Sequence, residues 1–92
     1  MVTQENMYRL LSIDAWRNED GWTWNNWYTI EEDIYLGYPI TNRKLLAFCR
    51  RNGWLSEESK GKLIVEDDGY NIVILTKGTK EPLYAFEPQW EV

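Results

Sequence analysis

Apolar and polar positions alternate along residues 8–16. Arg9, Leu11, Ile13 and Ala15 fall on one side and Tyr8, Leu10, Ser12, Asp14 and Trp16 on the other, which is the two-residue period of a β-strand. Neither side is cleanly polar. Residues 17–21 carry turn chemistry and close on Asp20 and Gly21. The alternation resumes over 22–30, with Trp22, Trp24, Tyr28 and Ile30 on one face and Thr23, Asn25, Trp27 and Thr29 on the other. The two runs together predict a hairpin. Glu31, Glu32 and Asp33 break the pattern, and 34–36 reads as a short strand or an extended arm.

The period then changes from two to helical over residues 41–52, and both ends are written in the sequence. Pro39 forbids helix before it, Thr41 is placed to cap the first-turn amides, and Ile40 with Leu45 form a hydrophobic staple. Gly53 supplies a left-handed residue that closes the helix, and Trp54 falls where a side chain packs back on Phe48 or Cys49. Leu45, Leu46, Phe48 and Cys49 share one arc, while Arg43, Lys44, Arg50 and Arg51 occupy the opposite one. One face is core and the other is basic.

Residues 56–61 are a polar connection. Two β-branched runs follow at 62–66 and 70–76, joined by Asp67, Asp68 and Gly69 with glycine at the left-handed bulge position. After a turn over 77–80, residues 82–86 form a last strand, whose Pro82 predicts a sheet edge. Residues 1–7 and 87–92 are expected to be frayed ends. The order β-β-α-β-β-β predicts a single α+β domain over 1–92, an antiparallel sheet of about five strands with one amphipathic helix packed on it. The strand order across the sheet does not follow from the sequence.

Ninety-two residues suffice for one core and no second one. A single cysteine excludes an internal disulfide, and the lack of any histidine removes the usual zinc spacings. A polar start and the shortness of every apolar run predict a soluble, cytoplasmic protein that neither enters nor binds a membrane. The net charge of −5 is unevenly spread. Residues 34–56 hold Arg43, Lys44, Arg50 and Arg51 and no acid, +4; the remainder has six bases against fifteen acids, −9. The overall field repels nucleic acid and anionic lipid, leaving only short-range contacts to the basic helix face.

Two of those cations contradict local electrostatics. Arg50 and Arg51 suit the C-terminal end of a helix, but Arg43 and Lys44 stand in the first turn, where positive charge is unfavourable by about 0.3–1 kcal/mol each. The bland explanation is a solvated stripe, or pairing with Glu31, Glu32 and Asp33. The other departure is aromatic content: six Trp and six Tyr, with Trp22, Trp24, Trp27 and Tyr28 crowded on one strand. Average burial of tryptophan puts two of those three Trp in the core and leaves one exposed. Cys49, on the apolar arc, reads as a buried inert thiol. The acidic strings lack the alternating ligands of a calcium loop. Without histidine, a Gly-rich phosphate loop or a nucleophile elbow, and with no pair singled out among fifteen carboxylates, the chain reads as non-enzymatic and without a cofactor.

The strings Tyr8-Arg9-Leu10-Leu11-Ser12-Ile13-Asp14-Ala15-Trp16, Gly21-Trp22-Thr23-Trp24-Asn25 and Glu66-Asp67-Asp68-Gly69-Tyr70-Asn71-Ile72-Val73-Ile74 resemble short uncharacterised open reading frames of small bacteriophages, in particular of microvirus-type genomes. The resemblance covers most of the chain and implies a phage accessory protein in a bacterial cytoplasm; it transfers no functional residue. The expected function is protein binding, with Arg43, Lys44, Arg50, Arg51, Trp22, Trp24, Trp27 and Tyr28 as the binding residues. The partner is a host or phage protein, or a second copy meeting basic helix with acidic hairpin. The alternatives are single-stranded nucleic-acid binding through the same residues, an acidic mimic of DNA built on Glu31, Glu32 and Asp33 with Glu66, Asp67 and Asp68, and, ranked lower, carbohydrate binding by the tryptophans.

Overall fold

The computed structural model describes residues 7–36, 41–67 and 69–89. Five strands, β1 (Met7–Asn18), β2 (Gly21–Tyr35), β3 (Leu63–Asp67), β4 (Ile72–Thr76) and β5 (Pro82–Pro88), form one antiparallel sheet in the order β2-β1-β5-β4-β3. A single α-helix, α1 (Asn42–Arg51), lies between β2 and β3 in the chain, followed by a short 3-10 turn at Glu57–Ser59. The predicted α+β architecture and element order are those observed.

The helix is bounded as its sequence dictates. The Thr41 hydroxyl accepts from the Lys44 amide at 3.2 Å. At the other end the Gly53 amide donates to the Arg50 carbonyl and the Trp54 amide to Cys49, both at 3.0 Å, with Gly53 at φ +77. This is the six-to-one and five-to-two closure that glycine permits. Trp54 then packs edge-on against Phe48, centroids 5.6 Å apart. The expected Pro39 stop and Ile40 staple lie outside the described residues.

Leu45 and Cys49 press the helix onto one face of the sheet, in a core with Leu10, Ile34, Leu36, Val65, Ile72, Ile74 and Phe86. Against the expectation of one core and no second, the other face carries a smaller cluster of Ile13, Val73, Leu75 and Ala85, flanked by Ala15 and Ile64, because the strands bury side chains on both faces of the one sheet. Both faces of β1 are therefore used, which is why neither of its sides is cleanly polar.

The first hairpin departs most from expectation. Glu31, Glu32 and Asp33 do not end β2, which runs on to Tyr35; Met7 belongs to β1 rather than to a frayed end, and β5 continues through Glu87 to Pro88. Opposite the twelve residues of β1 stand fifteen of β2. The register absorbs the three extra residues in steps between Tyr8 and Leu10, between Leu10 and Leu11, and between Ser12 and Ile13. Each step is a β-bulge on the outer strand, and Asp33 at φ +56 sits in the first. A bulge bends and further twists its strand. After Ser12, β1 leaves β5 and pairs only with β2. The distal hairpin reaches the β4–β5 turn, where the Trp22 indole donates to the Thr79 carbonyl at 2.9 Å.

Pro82 does not mark an edge: β5 is the central strand. Proline is tolerated there because it occupies the strand's first residue, beyond the last β1 partner, Ser12 opposite Tyr84, and next to a register irregularity with β4.

Candidate functional site

Cross-strand partners share a face, so the register assigns each side chain of the hairpin. Leu10 belongs to the helix-side core and β1 has no inserted residue, so Ser12, Asp14 and Trp16 follow it on that face. Their partners Tyr28, Asn25 and Thr23 join them, as does Glu31 opposite Leu10. Ile13 and Ala15 point to the other face with Asn26 and Trp24, and Arg17 with Trp22. Trp27 is the residue inserted between the Ser12 and Ile13 pairings. That insertion separates Trp22 and Trp24 from Tyr28, which simple alternation puts on one face.

The helix does not reach this part of the sheet. Its core draws only Tyr8 and Leu10 from β1 and only Ile30 and Ile34 from β2. Beyond them, among the described residues, the helix-side face of the hairpin is bare, with Asp14, Trp16, Thr23, Asn25 and Tyr28 all exposed. Trp16 is 44% exposed and Tyr28 53%; Trp27 is 69% exposed and meets Tyr28 edge-on with centroids 5.1 Å apart. Trp24 is exposed as well, and Trp22 is half-buried. None of the three crowded tryptophans enters the core, against the expectation of two. β2 is the edge strand of the sheet, and among the described residues the helix-side core takes only Ile30 and Ile34 from it. Trp16, absent from the sequence-based set, belongs to the same exposed surface; its alternation with Ser12 and Asp14 was the available signal.

The carboxylates around these rings set the field. Arg9 and Arg17 stand against Asp14, Glu19, Asp20, Glu31, Glu32 and Asp33 on the hairpin, net −4. Arg9 is committed to Glu87 at 3.7 Å. Asp33 is fixed at both its amide and its carboxylate by Gln89, at 2.7 and 3.1 Å, which pins the edge of β2 to the end of β5.

The cations of the helix lie elsewhere on the same side of the sheet. Arg43, Lys44 and Arg51 are exposed and Arg50 is half-buried; Arg51 sits 5.9 Å from the centroid of Phe48. No acid stands in the first turn, and among the described residues none of the four is ion-paired. Pairing with Glu31, Glu32 or Asp33 within the chain does not occur. The eight expected binding residues thus fall into three groups: the helix cations, the Trp27 and Tyr28 pair on the bare face and its edge, and Trp22 with Trp24 on the reverse.

Cys49 is buried, and burial pushes its thiol from 9.0 up to about 12, with Arg50 opposing in part. It is a core residue and a poor nucleophile. Among the described residues no three His, Cys, Asp or Glu side chains cluster to hold a metal, and no helix is long and apolar enough to cross a membrane. Comparison with protein-family models, curated proteins and solved structures gives no match.

Proposed function

We propose that this chain is a non-enzymatic protein-binding module whose docking surface is the bare helix-side face of the β1–β2 hairpin. The observation that supports this reading is the exposure of Trp16, Tyr28 and Trp27 on a hydrogen-bonded hairpin. Large aromatic side chains give the greatest binding energy per residue, and little entropy is lost when they are already held by a sheet. The carboxylates around them select a cationic partner and repel nucleic-acid phosphate. That repulsion weakens the nucleic-acid alternative, which needs a cationic track along the stacking rings where the hairpin is net −4. The resemblance to phage reading frames suggests a host or phage protein in a bacterial cytoplasm as the partner.

The acids of the hairpin favour one further reading, in which Asp14, Glu19, Asp20, Glu31 and Glu32 stand in for DNA phosphates on a cationic protein groove. The two differ in what must be removed. The immobilised chain is challenged with bacterial lysate, with and without nuclease and at two salt concentrations, beside the double variants Trp16→Ala/Tyr28→Ala and Asp14→Asn/Glu31→Gln, each checked for folding by circular dichroism. A discrete protein that the wild type retains and the aromatic variant loses supports docking. Loss only with the acid variant supports the mimic. Retention unaffected by either, or recovery only of nuclease-sensitive material, overturns both.

A further inference from the structure

The docking surface proposed above is acidic and aromatic, so its complement is a cationic surface rich in arginine, whose guanidinium groups pair with carboxylates and stack on rings. One such surface is present in the molecule itself. The outer face of α1 carries Arg43, Lys44, Arg50 and Arg51, none ion-paired to a described residue, and two of them oppose the helix dipole. Both patches lie on the helix-bearing side of the sheet, with Asp14, Trp16 and Tyr28 beyond the core residues Leu10 and Ile30, and exposed Glu31 at the margin opposite Leu10. A two-fold rotation between copies lays each positive patch on a negative one, so the contact is made twice and closes on itself.

We infer that the occupant of the hairpin face is the cationic face of α1 from a second copy of this chain, giving a two-fold dimer held by two equivalent helix-on-hairpin contacts. This rests on the docking reading of the hairpin and adds its partner. A standard interface removes roughly 800 Å² from each partner, about an eighth of the 6405 Å² surface of one chain.

The test is sedimentation velocity and light scattering of the full chain over a concentration series at low and high salt, with two charge-reversed variants. Arg43→Glu/Lys44→Glu places acids where a helix start favours them, so folding is retained; Asp14→Lys/Glu31→Lys reverses the hairpin. The wild type is expected to approach twice 11.0 kDa at low salt, with dissociation strengthened about tenfold or more at high salt. Each variant alone is expected to stay monomeric. Their equimolar mixture is expected to dimerise, because one contact keeps its native charges and the other pairs two exchanged helix charges with two exchanged hairpin charges. A wild type that is monomeric throughout, a dimer indifferent to both variants, or a mixture that fails to associate overturns the inference. If the wild type is monomeric yet still retains a lysate protein through Trp16 and Tyr28, the docking reading stands without the second copy; if that retention is absent too, both fall.

Discussion

Replacing Lys44 by glutamate should make the protein more stable. Thr41 already caps the helix through the Lys44 amide at 3.2 Å, so position 44 is the third residue of the helix and the one from which a carboxylate reaches back to the Thr41 amide. Lys44→Glu therefore completes a Thr-x-x-Glu capping box. It also exchanges an unfavourable charge–dipole interaction for a favourable one, each about 0.3–1 kcal/mol. Both groups are exposed, so the lower half of the summed range applies, and the net gain is about 1 kcal/mol. For a domain of this size that corresponds to a rise in Tm of about 4–8 °C. Thermal unfolding followed by circular dichroism at low salt measures it, and a repeat at about 1 M salt should show a smaller gain, since the dipole contribution is screened while the capping hydrogen bond is not. An unchanged or lowered Tm at low salt would refute the reasoning. A confirmed gain would mean that the wild-type sequence holds a cation at the start of its helix at the expense of stability, the pattern expected of a residue kept for binding.

Trp22→Phe keeps the ring but removes the 2.9 Å hydrogen bond to Thr79. A loss of about 0.5–1.5 kcal/mol is expected, with hydrogen exchange rising in residues 13–18 while 8–12, still paired to β5, stay protected; uniform exchange along β1 would contradict the separate distal hairpin. Gly53→Ala forces a side chain into φ +77 at the helix end. Although the added methyl meets nothing within 4 Å, the backbone conformation alone should cost about 1 kcal/mol, read from the urea midpoint. Cys49 makes stability depend on alkaline pH. Its pKa is raised on folding, so the preference of the fold for the neutral thiol is complete below 9.0 and is lost as pH climbs through about 12. Over that window the wild type should lose stability more steeply than Cys49→Ala, and equal slopes would remove the thiol from the account.

Helix α1 was readable almost to the residue because its determinants are local: a threonine cap, an apolar arc and a glycine closure. The hairpin of β3 and β4 was readable for the same reason, with Gly69 at φ +87 and its amide bonded to the Asp67 carboxylate. What was not readable is non-local. Three bulges in β2 take up its extra length against β1, so Glu31, Glu32 and Asp33 looked like a break when they continue the outer strand. Pro82 looked like an edge because its position within the sheet depends on β1, some seventy residues away. The candidate surface was half legible. The aromatics and cations stand out in the sequence, but a single inserted residue, Trp27, decides which of them share a face.

The last strand in the chain is the middle strand of the sheet, and this sets the order in which the molecule can be made. Until β5 emerges from the ribosome, the β1–β2 hairpin and the β3–β4 hairpin have no common neighbour, and both cores lack Phe86 and Ala85, each fully buried. A two-stranded hairpin alone is marginal in water. Folding should therefore be late and cooperative, slowed by the long closure between β1 and β5, and a chain stopped short of residue 82 should yield two unsupported hairpins, open to proteolysis, rather than a smaller version of the domain.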